Sequence, residues 1–331
     1  MKWLGAMALP SSEPVAVATA RRLIDMHAGP SFHVYANIYD QKNQSCLSDL
    51  VAHYSGHVFI STVPGYMLRF WKTVLTAELT AHYDIIMLVH CDIWWTHEMF
   101  SLVAVEEWMQ RTKAGSVMPS IVASTKGARA AGAARRQTMY AADCAAKTLN
   151  ACERIAIQTP AVYRIVWELL QEMPDLVLDA DLMLMDLWCQ KIAVAWPTRP
   201  ACVVIHSMAV VHDNTKTISK AGMDKYYCCD KKTIMQHDTY YWIMNNYKSF
   251  LGNFSWGNTS FPLGTCFPID PDEPRRQVGS DLRGRDSRAV PRSGTRLSPR
   301  GVRPSRPSRG ERMPAGSKVR VPQVAVKTAD R

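Results

Sequence analysis

His90 and Asp92 stand one residue apart just beyond a five-residue apolar run, Ile85 to Val89, and both are potential metal ligands. On an extended chain, positions two apart project to the same side, so both side chains can reach one ion. A second string ends in the same chemistry: Cys202-Val-Val-Ile-His206 runs on to Val210-Val211-His212-Asp213. If the two strands lie near each other in one sheet, His212 completes a site with His90 and Asp92. Mixed imidazole and carboxylate ligation suits Mn²⁺ or Zn²⁺ better than Ca²⁺. His206, inside an apolar run, reads as a core histidine with its hydrogen bonds satisfied.

Other residues can serve such a site. Asp181 and Asp186, in Asp179-Ala-Asp181-Leu-Met-Leu-Met-Asp186-Leu-Trp188-Cys189, are candidate general bases. Five residues apart on a helix, they sit about 140° from each other, so only one faces a common site. Their alternative reading is as solvated surface acids. Trp94 and Trp95 follow the metal motif and can stack on a sugar or a base; as aromatics they serve equally well in packing. Arg135 and Arg136 can clamp a diphosphate, against the alternative of plain exposed arginines.

These residues need elements to position them. The run Ile85 to Val89 predicts a strand buried on both faces, opening into a site at its carboxyl end, where open α/β sheets bind ligands. Before it, Phe32–Tyr39 and His57–Val63 read as strands, the second closed by Pro64-Gly65, and Arg69–His82 as a helix. After it, Thr96 caps a helix with apolar positions Met99, Leu102, Val105 and Met109, stopped by Gly115. Ser116–Ala123 reads as a strand whose Pro119 suits an edge or a strand end. The Ala-rich stretch from Lys126 to Asn150 has no clear period and reads as a mobile insertion over the site. Ile155–Ile157 returns to strand. Thr159-Pro160 then opens a helix with the stripe Val162, Ile165, Val166, Leu169, Leu170 and Met173, ended by Pro174. A helix from about Asp181 to Ile192 and a buried strand from Ala201 to Val211 complete the pattern. Strand and helix in alternation predict an α/β fold with a mainly parallel sheet flanked by helices.

Composition sets the bounds. The chain has 331 residues, 47% hydrophobic and 21% charged, enough for a substantial core. Its net charge of +10 is located almost wholly in Pro271 to Arg331, which holds 16 basic and 6 acidic residues, whereas residues 1–270 hold 23 of each. A basic binding face on the body is therefore unsupported, and an anionic partner, nucleic acid or membrane, would be met by the tail. That tail, residues 271–331, is rich in Arg, Pro, Gly and Ser and is expected to be disordered. Residues 1–30 are set apart as a leader or extension, with Lys2 and the short apolar run Trp3–Leu9 faintly like a signal peptide. The body spans residues 31–270.

No run reaches the roughly 20 apolar residues of a membrane helix. Nine cysteines without a Cys-x-x-Cys pair argue against a structural zinc module and fit free thiols or a few disulfides. Three sequons stand at Asn43, Asn253 and Asn258, and the close pair at 253 and 258 tilts the reading towards a glycoprotein of the secretory pathway or Golgi lumen.

The residues Val63-Pro-Gly-Tyr, Phe70-Trp71-Lys72, Tyr83-Asp84, Cys91-Asp92, Met118-Pro-Ser120, Gln158-Thr-Pro160, Val166-Trp167, Asp186-Leu-Trp188-Cys189 and Val210-Val-His212 carry a resemblance. Between about Ser31 and Ile218 the chain looks like the plant and algal family of unknown function labelled lysine-ketoglutarate reductase trans-splicing related. Its body resembles nucleotide-sugar glycosyltransferases of the GT-A fold. That resemblance implies a GT-A-like, Rossmann-like domain and a metal-dependent glycosyltransferase with Mn²⁺ (or Mg²⁺), a nucleotide-sugar donor and an acceptor it does not specify. Asp92 would be the second acid of the Asp-x-Asp metal motif, His90 replacing the first, and His212 the late histidine ligand. Asp186 is preferred as base because its Trp-Cys neighbours carry the resemblance. The rival is a catalytically inactive member of the same fold, a binding or scaffold protein acting through its basic tail. A zinc hydrolase ranks third, since no His-Glu-x-x-His helix is present.

Overall fold

Strand β1 (Trp3–Leu9) is buried along its whole length because it lies between β2 (Phe32–Ile38) and β4 (Ile85–His90), paired in parallel with both. Residues 1–30, which the sequence sets apart as a leader or extension, thus supply a central strand of the sheet and the helix α1 (Pro14–His27) beside it. The short apolar run that resembles a signal peptide is a strand covered on both faces. The computed structural model describes residues 1–40, 42–64, 67–123, 144–149, 155–173, 184–212, 246 and 251–268, all within one compact unit, Met1–Gly284. Arg135, Arg136, Asp181 and the tail 271–331 lie outside the described residues.

The remaining elements are α2 (Ser48–His53), β3 (Val58–Ser61), α3 (Met67–Thr73), α4 (Ala77–Thr80), β5 (Ile93–Trp94), α5 (Leu102–Thr112), β6 (Ser116–Ala123), β7 (Ala146–Thr148), β8 (Ile155–Gln158), α6 (Pro160–Glu172), α7 (Leu184–Ala195), β9 (Cys202–His212) and β10 (Cys266–Phe267). Among the described residues the strands form one mixed sheet in the order β10-β7-β9-β6-β8-β4-β1-β2-β3, with β5 paired to β9. The pairings set seven of its ten strands in one direction, and only β5, β7 and β8 run the other way. The α/β class with mostly parallel strands and flanking helices is therefore present.

Helices α1 and α5 cover the Trp3 and Phe32 side of the sheet. Phe32 stacks on His27 of α1, and the Trp3 indole donates to Glu106 of α5 (2.8 Å). Gly5 is small for the same reason, since a Cβ there would come within 2.7 Å of the Phe32 ring. The helices α3, α4, α6 and α7 pack together as a second group against β1 and β4. The buried stripe of α6, Val162, Tyr163, Val166, Leu169 and Leu170, follows helical spacing, and Met173 closes it; Ile165 is only half-buried.

Several boundaries differ from expectation. Arg69–His82 is two helices, because the Thr76 hydroxyl accepts from Leu79 N–H and starts a new turn. Ser101, not Thr96, caps α5. That helix ends with Lys113 in the left-handed region (φ 51°), while Gly115 is needed for close approach: a Cβ would lie 2.5 Å from Ile192 and 2.9 Å from the Ala201 carbonyl. Within Lys126–Asn150, expected to be an insertion, Ala146–Thr148 is strand β7. Pro119 sits inside the sheet, at the register shift where β6 has already parted from β8 at Val117.

Candidate functional site

Strands β4 and β9 are not neighbours; β8 and β6 lie between them. Three interstrand steps amount to about 14 Å, too far for Asp92 and His212 to meet if β4 simply ended. The two-residue strand β5 closes that gap. After His90 the chain turns through Cys91-Asp92, and Ile93–Trp94 pairs antiparallel with the end of β9, Ile93 opposite His212 and Trp94 opposite Val211. The turn brings the Asp92 carboxylate to the His212 ring: Oδ2 and Nε2 are 2.8 Å apart.

Both residues are buried, at 8% and 4% exposure, so the polar atoms that meet here need each other as partners. An ionised carboxylate only accepts, so the Nε2–H of His212 donates to Asp92. The pair also passes a geometric test as metal ligands. Two adjacent ligands of an octahedral divalent ion are about 3 Å apart, and carboxylate oxygen with imidazole nitrogen is a donor set for Mn²⁺. An ion would replace the Nε2 proton. Among the described residues no group of three His, Cys, Asp or Glu could hold a metal ion. His90 is buried as the last residue of β4, beside Ala8, and does not join a three-ligand group with Asp92 and His212.

The aromatic candidates separate. Trp95 is core, at 3% exposure: its ring packs on Phe100 and its indole N–H donates to His27 Nε2 (3.2 Å). Burial, together with the nearby His97, lowers the His27 pKa to about 4, so the ring stays neutral and can accept. Trp94 is half-buried, with the Arg22 guanidinium 5.1 Å from its ring centre. Asp186 falls in the first turn of α7. His206 is a core residue whose Nδ1 lies 3.2 Å from Ser120 Oγ, and burial, then Lys147, push its pKa down.

Two further strand ends share this rim, and sequence reasoning passed over both. Beyond β1, Ser11 and Ser12 are held by Asp40, which follows β2: its carboxylate accepts from Ser11 N–H (2.9 Å), Ser11 O–H (2.6 Å) and Ser12 N–H (2.9 Å). Burial opposes ionisation of Asp40, yet these bonds outweigh it and hold its carboxyl below the usual range. Asn43 N–H in turn donates to Ser11 Oγ (2.8 Å). Asn37, wholly buried, fixes the turn after β3 through Ser61 and Val63. The available signal is a polar residue two positions after each strand, Ser11 after Leu9 and Asp40 after Ile38. At Ser11 the signal is masked because Trp3–Leu9 also resembles a leader.

No protein-family model matches the chain and no curated protein sequence matches it, so the resemblance to the plant and algal family draws no support from sequence comparison. Solved structures similar to it include S. aureus TarS 1–349 in complex with UDP-GlcNAc (TM-score 0.44, 14% identity, covering 64% of this chain and 58% of that one). The same TarS segment in complex with UDP gives a TM-score of 0.46 at 12% identity over 76% and 72% of the two chains. The mannosyltransferase PcManGT from Pyrobaculum calidifontis, in complex with GDP-Man and Mn²⁺, gives 0.43 at 13% identity over 67% and 58%. This chain thus spans 58% of the length of the first of these TarS structures and of PcManGT.

Proposed function

We propose that the chain is a metal-assisted glycosyltransferase using a nucleotide-sugar donor, with Asp92 and His212 as the protein ligands of Mn²⁺ or Mg²⁺. The observation that supports this most directly is the buried Asp92–His212 contact, made by a strand that crosses the sheet's carboxyl rim. Ligands of open α/β sheets bind along such a rim. The ion would neutralise charge developing on the leaving diphosphate.

The chain's own residues supply the rest. Asp92 and His212 would hold the ion, His212 through Nε2 without its proton. The loops after β1 and β2, tied together by Asp40, are assigned to the nucleotide. Trp94 offers a ring for stacking, backed by Arg22. Asp186, with Asp181 as its alternative, is assigned removal of the acceptor hydroxyl proton. Arg135 and Arg136 are assigned to the diphosphate.

A thermal-shift screen of UDP, GDP and ADP and their sugars, with and without Mn²⁺, tests the reading. One nucleotide stabilising the fold only with metal, and not in Asp92→Ala, is the expected result. Equal stabilisation in Asp92→Ala sinks it. The second reading, a catalytically inactive binding protein of this fold, draws on His90 standing where the resemblance expects an acid and on the lack of a three-ligand cluster among the described residues. It requires partner binding to survive Asp92→Ala and to be lost on deleting residues 271–331.

Two disulfides, Cys144–Cys266 and Cys189–Cys202, support placing the protein in an oxidising compartment, and we assign it to the secretory pathway. Among the described residues no helix is long and apolar enough to cross a membrane.

A further inference from the structure

We propose that Asn253 and Asn258 carry N-linked glycans, an inference that rests on the secretory assignment above. Both asparagines open sequons, Asn253-Phe-Ser255 and Asn258-Thr-Ser260, and both are exposed. The loop around them presents them outward for a physical reason. Leu251 is buried, and Phe254 and Trp256 are half-buried, their rings edge to face at 5.1 Å. Leu251, Phe254 and Trp256 thus anchor the segment while Asn253 and Asn258 remain in solvent. The turn is fixed by Ser255 Oγ accepting from Gly257 N–H (3.3 Å) and Thr259 O–H donating to the Trp256 carbonyl (2.9 Å).

A second, independent feature marks the same segment. Eight residues after Asn258 comes Cys266, bonded to Cys144 and followed by Phe267 in β10, which pairs with β7. The loop is therefore stitched to the sheet by a bond that needs an oxidising lumen, the setting in which oligosaccharide is transferred to asparagine. In that transfer the side-chain Nδ2 bonds to the reducing-end carbon of a polyprenyl-diphosphate-linked oligosaccharide. The carbon–oxygen bond to the diphosphate breaks, the lipid diphosphate leaves with the electron pair, and the amide loses one proton. The third sequon differs in place: Asn43 is tied to Ser11 on the rim of the candidate site. A glycan there would crowd the loop assigned to the nucleotide, and Asn43 is expected to stay unmodified.

The full chain, secreted from a eukaryotic cell behind a cleavable signal, provides the test. Release by peptide N-glycosidase in ¹⁸O-water should convert Asn253 and Asn258 to ¹⁸O-labelled Asp, and Asn253→Gln and Asn258→Gln should each remove one glycan's mobility shift. Unmodified asparagines in a chain whose Cys144–Cys266 and Cys189–Cys202 bonds have formed would overturn the glycan proposal alone. If those four cysteines are instead alkylated as free thiols, the secretory assignment itself fails.

Discussion

Asp92 and His212, 120 residues apart in sequence, meet at 2.8 Å with both side chains almost out of water. A buried pair of this kind does more to fix a geometry than to stabilise a fold, but removing one partner strands the other's charge. His212→Ala should therefore cost about 3 kcal/mol in chemical denaturation. Asp92→Asn keeps a hydrogen-bond acceptor and should cost clearly less, while abolishing any Mn²⁺-dependent stabilisation by nucleotide. Equal costs for the two variants would mean that the contact carries no charge.

How far the sequence shows this site depends on which contact is asked about. The apolar runs ending at His90 and His212 are visible because a strand buried on both faces has no polar interruptions. The crossing by β5 is invisible: two residues, Ile93–Trp94, carry no periodicity. It is β5, not adjacency of β4 and β9, that joins Asp92 to His212. Trp3–Leu9 misled because a fully buried strand of seven residues and a short signal-like run have the same composition. Trp94 and Trp95 look alike in sequence, and what separates them is tertiary: Trp95 packs on Phe100 and finds the His27 acceptor, whereas Trp94 stays half-buried.

That His27 contact predicts acid sensitivity. In the folded chain His27 titrates near pH 4, below the value of about 6.5 expected when unfolded, so between these limits the unfolded state binds the extra proton. Stability is complete above pH 6.5 and is lost as the pH falls towards 4. His27→Asn should flatten the fall between pH 7 and 4.5 by about 2 kcal/mol relative to wild type. Parallel pH profiles for the two proteins would show that His27 is not held neutral.

Asn37 should act on the rim through backbone alone. Its Oδ1 accepts from Ser61 O–H (2.9 Å) and Val63 N–H (2.8 Å), and its Nδ2 donates to the Val63 carbonyl (3.0 Å). Asn37→Ala leaves these groups without their partner, a loss of about 2 kcal/mol. Asn37→Asp keeps the acceptor but turns a carboxylate oxygen towards the Val63 carbonyl, so it should be no better than alanine. If denaturation shows aspartate restoring stability, the assigned orientation of the amide is reversed.

The Cys189–Cys202 bond joins the middle of α7 to the first residue of β9 across 13 positions, and both cysteines are essentially unexposed. Closing a loop of that length contributes about 3 kcal/mol by restricting the unfolded chain. The double variant Cys189→Ala, Cys202→Ala should lower Tm by on the order of 8 °C, read by calorimetry. Mild reductant should leave the native bond intact, because no thiol can reach it. Yet Cys202 and His212 stand at opposite ends of β9, whose bulge sets its eleven residues beside only the eight of β6, so the two ends are about 23 Å apart. Any Mn²⁺-dependent nucleotide shift should therefore keep its size in the double variant, measured from the lower baseline. Loss of that shift would show that the bond positions the site from a distance, through α7 and the turn that carries Asp186, instead of only stabilising the fold.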